Sequence, residues 1–318
     1  MLNRKLTIEL FSAAYRRKYY IVCLSIYIFA GNYLIALKSA GGGKLLTKDS
    51  QNINLGEIQR FNVFNQMVVV PGGEFLMGGV IEHPIRKLYI APFLIDVCET
   101  TKSEWDSVAK WANQRGYDLP EGGCFGTSDH PVMMVNWFDV VKWCNAKSEF
   151  KGGEPSYYSD SDLRNVYTNG VKVPFVKWLA GYRLPTEAEW EKAAKGGSEQ
   201  SDFPWQLGQD ISPTLANYKG SGNFGTVAVA SYRPNGFGLF DMAGNVREWC
   251  WDIWGSYNGD DYQNPRGLPI GRYRVIRGGS WLSDRERCRA AYRYFYYSKI
   301  PSTRDYQTGF RVVVQIKS

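Results

Sequence analysis

From about residue 200 to residue 266 the chain offers no capped, periodic helix and no long alternating strand; glycine, asparagine, proline and aromatic residues dominate. Such a stretch cannot place all its backbone N–H and C=O groups in helices or ladders, yet a folded chain must satisfy them. Side-chain caps, bound ions and water are the remaining partners. A chain of this kind must fold with few helices, short strands and long ordered loops.

Regular elements are signalled elsewhere. Residues 67–77 (MVVVPGGEFLM) predict two short strands about a Pro71-Gly72-Gly73 turn, and 87–97 predict another pair. Three helices carry start signals. Thr101 with Glu104 forms a capping box ahead of Trp105, Val108 and Trp111; Asn136 with Asp139 caps a helix carrying Val140, Val141 and Cys144. Thr186 with Glu189 caps a third, whose apolar face holds Trp190, Ala193 and Ala194 and which Gly196 stops. In that helix, capping, dipole placement and solvent exposure account for Glu187, Glu189 and Glu191. Residues 309–316 (GFRVVVQI) read as a closing strand. No period of 20–50 residues recurs, which argues against a solenoid or propeller. The reading is one α+β domain over 64–318.

The formal charge of +7 invites a nucleic-acid reading, but its distribution removes it. Residues 1–60 hold nine basic and three acidic side chains, so of the 38 and 31 in the chain, 29 and 28 fall in 61–318. The body has no electrostatic footprint for phosphate backbones. Residues 19–37 (YYIVCLSIYIFAGNYLIAL) carry no charge, and as a helix would span about 28 Å, close to the hydrocarbon core of a bilayer. Arg16, Arg17 and Lys18 precede the run and should stay cytoplasmic, exporting everything downstream. The run serves as an uncleaved signal anchor or as a signal peptide cleaved near Ser39-Ala40-Gly41; its length and the nearness of Lys38 favour the anchor. A buried core helix is the competing reading. The organisation is then a basic cytoplasmic segment (1–18), a membrane helix (19–37), a Gly-rich polar linker (38–63) and an extracytoplasmic domain.

Five cysteines follow the leader: Cys98, Cys124, Cys144, Cys250 and Cys288. None forms a C-x-x-C pair, which excludes a zinc ribbon or thioredoxin-like site. An odd count leaves at least one free thiol in an oxidising compartment, and Cys144, inside a helical pattern, reads as a buried one. Two histidines, His83 and His130, argue against histidine-rich metal or acid–base chemistry, and both read as structural. No G-x-S-x-G or Walker sequence is present.

Seven segments, in order, resemble one family. They are VPGGEFLMGG (70–79), HPVMMVNWFDVVKWCN (130–145), GYRLPTEAEWEKAAKGG (181–197), FPW (203–205), PNGFGLFDMAGNVREWCWD (234–252), RGGSW (277–281) and GFR (309–311). This resembles the formylglycine-generating-enzyme family, the sulfatase-modifying-factor domain, and implies a C-type-lectin-like α+β fold with little regular secondary structure. The family's founding members oxidise a sulfatase cysteine to formylglycine with O2 and a copper ion held by two thiolates, in the pattern R-G-G-S-x-x-C-x-x-x-x-C. Here the second position is Cys288 and the first is Ser283, a hard neutral hydroxyl where copper(I) requires a soft anion. The copper pair is incomplete. Cys288 and Ser280 stand as the candidate catalytic residues, Ser283 as a degenerate position, and a structural role for Cys288 is favoured. The resemblance further implies that Cys250 and Cys288 lie close together, with a disulfide between them as the expectation.

The same resemblance implies calcium in the loop through GNVREW. The matching positions are the side chains of Asp241 and Glu248 and the carbonyls of Gly244 and Val246, hard oxygen donors in a Gly-rich loop. The competing reading has Glu248 tying the loop without an ion. Asn217 and Tyr218 open a second, weaker calcium site whose carboxylate position falls on Ser221, with Asn223 as a carbonyl donor. The aromatic stretch 292–297 (YRYFYY) lines a groove for peptide or sugar, or sits in the core. The expectation is a membrane-anchored or secreted, calcium-stabilised binding or scaffold module with a protein, peptide or glycan ligand. The alternative is an active oxidase working through Cys288.

Overall fold

The computed structural model describes the backbone of residues 23–29, 32–38 and 45–47, and the chain at 67–79, 85–198, 201–204, 210–257, 262–293 and 300–316. The chain divides into two compact units, 1–59 and 60–318.

In the first unit, β1 (Cys23–Phe29), β2 (Asn32–Lys38) and β3 (Leu45–Thr47) form an antiparallel sheet in that order. Across the run 19–37 read as a helix, residues 23–29 and 32–38 are described as these strands, and the remaining positions lie outside the described residues. The run is rich in Ile and Tyr, which favour strands, and Phe29 pairs with Asn32. Among the described residues no helix is long and apolar enough to cross a membrane.

The second unit carries β4 (Met67–Val70), β5 (Gly73–Met77), β6 (Arg86–Ile90), β7 (Phe93–Asp96), α1 (Lys102–Asn113), α2 (Trp137–Phe150), β8 (Tyr157–Tyr158), β9 (Phe175–Val176), α3 (Glu187–Lys195), β10 (Arg247–Ile253), β11 (Arg274–Arg277), β12 (Thr308–Gly309) and β13 (Val313–Gln315). The strands expected on either side of Pro71-Gly72 form, but they enter different sheets. β4 pairs with β7 and β5 with β6, while the tail strand β13 closes antiparallel onto β7. A third sheet has the order β11-β10-β12. The remaining chain is mostly loop, as the Gly- and Asn-rich sequence required.

α2 is central: twelve of its fourteen residues are buried, so it is covered on every side. Its capping box is complete, with Asn136 and Asp139 each satisfying the other's backbone amide. Trp143 stacks on Trp105 of α1 at 5.8 Å, and Phe310 meets both rings edge-on. At α1 only half the expected box is present. Thr101 accepts from the Glu104 amide, but the Glu104 carboxylate pairs with Lys147 of α2 at 2.9 Å.

α3 has the full capping box of Thr186 and Glu189 and ends on Gly196 at φ +58°. All nine of its residues are buried, which corrects the solvent-exposed reading of its three glutamates. Each carboxylate faces a guanidinium: Glu187 meets Arg293 and Glu191 meets Arg277, both from distant segments, and Glu189 forms a fork with Arg183, just ahead of the helix. Buried charges persist only when paired in this way.

Candidate functional site

The RGGS segment leaves β11 through two glycines in the left-handed region, Gly278 at φ +93° and Gly279 at φ +75°. A Cβ on Gly279 would lie 2.6 Å from Cys288 Sγ, so this turn requires glycine both for its backbone and for its space. Ser280 and Ser283 follow, both buried. The Ser280 amide donates to Ser283 Oγ at 2.9 Å, and the Ser280 hydroxyl donates to Gln307 Oε1 at 3.0 Å. Ser283 is thus left to donate to Ser280 Oγ, 3.2 Å away. A single turn over Arg285–Cys288 then directs the Cys288 thiol toward the Asp284 carbonyl at 3.7 Å. The thiol is fully buried, and burial, helped by Asp284 and Glu286, pushes its pKa up to about 12. At neutral pH Cys288 is a neutral thiol and a poor nucleophile. One neutral thiol and one engaged hydroxyl do not fit a copper ion that needs two thiolates.

The expected Cys250–Cys288 bridge is absent: both are buried free thiols. Cys250 packs in the cluster of Trp190 and Val275, whereas Cys288 packs with Phe203, Ile211 and Ala216. β10 is buried along nearly its whole length, and Cys250 packs on the side of it that faces Trp190 and Val275. Cys144 is a buried free thiol, as expected.

The loop proposed for calcium packs directly against the RGGS turn. The Gly244 amide donates to the Gly278 carbonyl at 2.8 Å, and the Trp281 amide donates to the Asn245 carbonyl at 2.9 Å. The Asn217–Tyr218 segment joins the same assembly, since the Asn245 amide donates to the Asn217 carbonyl and the Lys219 amide to the Ser283 carbonyl. Ser280, Ser283, Gly244 and Asn217 therefore fall in one cluster of three loops.

Glu248 does not face the loop. Its oxygens accept a fork from Arg311 at 2.7 and 2.8 Å, and Oε2 also accepts from Trp190 Nε1 at 2.8 Å. Asp241 sits in the left-handed region at φ +56° and accepts the Ala230 amide at 2.7 Å. Burial, with the nearby Glu248 charge, outweighs that amide and Arg311 and raises the Asp241 pKa to about 6. Glu99 is a third carboxylate here. It accepts the Val246 amide at 3.0 Å and Asn245 Nδ2 at 2.6 Å, and burial together with Asp241 and Glu248 raises its pKa well above the usual range. Three buried carboxylates thus face the Arg311 guanidinium. Among the described residues no group of three His, Cys, Asp or Glu side chains is placed to hold a metal ion, and the commitment of Glu248 to Arg311 makes the donor set smaller than expected.

At the second position, Asn217 Oδ1 accepts from the Ser221 hydroxyl at 2.9 Å and from Asn223 Nδ2 at 3.1 Å. These side chains supply to Asn217 what an ion would otherwise supply. His130 is half-buried, with Nδ1 2.9 Å from Thr226 Oγ1, and it ties a surface loop. His83 and residues 294–297 of the aromatic stretch lie outside the described residues; Tyr292 packs on the core and Arg293 pairs with Glu187.

Glu99 and Gln307 carry no local signal in the sequence, and Asn245, although inside GNVREW, is not among the expected site residues. Arg311 carries a local signal, as part of GFR, but its partner Glu248 is 63 residues away. Above the RGGS turn Phe125 meets Trp281 edge-on at 5.4 Å and Tyr306 at 5.6 Å. Phe125, Leu282 and Tyr306 are each 45–55% exposed.

A family model described as the sulfatase-modifying factor enzyme 1-like domain matches residues 55–316. The formylglycine-generating enzyme of Thermomonospora curvata is 32% identical over 289 residues, which cover 77% of this chain and 92% of that enzyme. The serine/threonine-protein kinase pkn1 of Chlamydia caviae is 30% identical over 273 residues, 82% of this chain, but the chain spans only 40% of that kinase's length, and only 35% of its Chlamydia pneumoniae counterpart. Among solved structures, Treponema denticola variable protein 1 superposes with a TM-score of 0.66 at 27% identity, covering 79% of this chain and 95% of that one. CarF does so with a TM-score of 0.63 at 29% identity, covering 79% and 98%. The chain belongs to the formylglycine-generating-enzyme, or sulfatase-modifying-factor, family.

Proposed function

We propose that this protein is a family member without copper-dependent cysteine oxidation, which serves as a binding or scaffold module on the extracytoplasmic side of a membrane. The observation that carries this reading is Ser283. It occupies the first copper-ligand position, is buried, and is held by Ser280, while Cys288 retains its proton. The exposed group of Phe125, Leu282 and Tyr306 beside that turn supports a binding role, since contiguous exposed apolar side chains mark interaction surfaces. A protein or peptide would contact it through apolar and aromatic side chains; a glycan would stack on the rings. Calcium would bind through Asp241 and the carbonyls of Gly244 and Val246 and stabilise the three-loop cluster. The leader 19–37 would supply export and attachment.

The test is to incubate the protein with copper, O2 and a Cys-x-Pro-x-Arg peptide and to follow the cysteine by mass spectrometry. We expect unchanged peptide. Conversion to formylglycine would overturn this reading in favour of an active oxidase using Cys288.

A further inference from the structure

We propose that the exposed aromatic face above the RGGS turn binds a second copy of this chain about a two-fold axis. This rests on the reading of that face as a binding surface, and it names the partner.

The face is contiguous. Phe125 meets Trp281 at 5.4 Å and Tyr306 at 5.6 Å, and Leu282 follows Trp281 directly. The backbone that carries Phe224 closes on the same ring: a Cβ on Gly225 would lie 3.3 Å from Phe125 Cβ. Phe224 itself is 96% exposed, more than any other large hydrophobic side chain among the described residues. A continuous group of exposed aromatic and aliphatic side chains marks a surface that another molecule covers. The face is also preformed. The Trp281 amide donates to the Asn245 carbonyl, and Trp281 Nε1 donates to the Tyr306 carbonyl at 3.0 Å, so little ordering remains to be done on binding.

The charges at its edge select the partner. Lys219 lies against the turn, with its amide on the Ser283 carbonyl, and its ammonium pairs with Asp284 at 3.0 Å. The two side chains are 62% and 48% exposed. Arg285 and Asp210 form a second exposed pair. These four charges sum to zero, so they favour neither an acidic nor a basic partner. They do match a copy of themselves. A two-fold axis sets one aromatic face on the other and lets each Lys219 pair with the partner's Asp284, so that one complementary contact forms twice. An exposed ion pair contributes little within one chain, and its members can exchange partners at small cost. Long-range repulsion does not oppose the contact, because residues 61–318 hold 29 basic and 28 acidic side chains.

The experiment follows the mass of the full chain by light scattering over a concentration series, with the variants Phe224→Asp, Lys219→Asp and Asp284→Lys. We expect the wild type to pass from monomer to dimer as concentration rises. Phe224→Asp should weaken association at least tenfold with an unchanged melting temperature, because it places a charge at the centre of the contact. Lys219→Asp puts two acidic side chains at the edge and Asp284→Lys two basic ones. Each alone should associate several-fold more weakly than wild type, and an equimolar mixture of the two should recover wild-type association. Recovery on mixing requires the pair to close between chains; a pair acting only within one chain predicts none. A wild type that stays monomeric overturns the proposal and leaves the face to a partner of another kind. Association that survives Phe224→Asp overturns it too, by placing the contact elsewhere, as does a mixture without recovery. The peptide-oxidation assay reads chemistry and this one reads mass. An inert monomer would therefore refute the dimer alone, and an oxidising dimer the proposed function alone.

Discussion

Asp241→Asn should stabilise the ion-free protein at neutral pH, although it removes a carboxylate from a site proposed for calcium. Folding raises the Asp241 pKa from an ordinary 3.8 to about 6, so the folded state holds that proton more tightly than the unfolded chain. The contribution is complete below pH 3.8 and is lost as pH climbs through 6. A difference of about two units is worth roughly 3 kcal/mol against the wild type above pH 7. Asparagine cannot ionise, can still accept the Ala230 amide, and tolerates the left-handed φ of +56° better than most residues. For a domain of this size roughly 3 kcal/mol corresponds to about 6 °C. Thermal unfolding in chelator should therefore show the variant several degrees above wild type at pH 7.5 and level with it near pH 4. Calcium should reverse the order, because it takes the place of the proton in the wild type. Its stabilising effect should be larger at pH 7.5 than at pH 5 and should be mostly absent in the variant. A variant that is less stable in chelator at pH 7.5 would refute the charge argument. Equal calcium shifts in the two proteins would refute calcium at Asp241.

Arg311→Ala leaves Glu248 buried with only Trp190 as a donor, and should cost about 3–5 kcal/mol, read as a fall in the urea midpoint at constant slope. Gly279→Ala forces a Cβ to 2.6 Å from Cys288 Sγ at φ +75°. Backbone and packing costs together predict a loss of about 2–4 kcal/mol, and a loss under ~1 kcal/mol would mean that the turn is looser than described. Alkylation after unfolding without reductant should label Cys98, Cys124, Cys144, Cys250 and Cys288, with Cys124, the partly exposed one, reacting first in the native protein. A Cys250–Cys288 cross-linked peptide in that digest would overturn the description of both thiols.

The parts of the fold legible in the sequence are those whose partners are close along the chain. Thr186, Glu189 and Gly196 announce α3 because a capping box spans three residues and a left-handed stop follows directly. The same helix shows where local reading ends. Glu187, Glu189 and Glu191 alternate as a solvated strip would, and what buries them is the set Arg293, Arg183 and Arg277, of which only Arg183 is nearby. The candidate site follows the same rule. Ser283 and Cys288 could be placed by their spacing after RGGS, because only one short turn, Arg285–Cys288, separates Ser283 from the thiol. Glu99 could not, since the groups it satisfies, Asn245 and the Val246 amide, lie 146 and 147 residues on. The cysteine pairing failed for a related reason: the resemblance implied that Cys250 and Cys288 lie close together, but nothing local says which side of β10 a side chain packs on.

On the proposed reading, this division lets the family's framework stand without the copper pair. The buried carboxylate–guanidinium pairs of Glu187, Glu189, Glu191 and Glu248 hold the loops from the core side, and none of them involves Ser283 or Cys288. A hydroxyl in place of a thiolate at position 283 would therefore remove a ligand without unpairing any of these buried charges. A hydroxyl that the Ser280 amide and hydroxyl can satisfy fills the place.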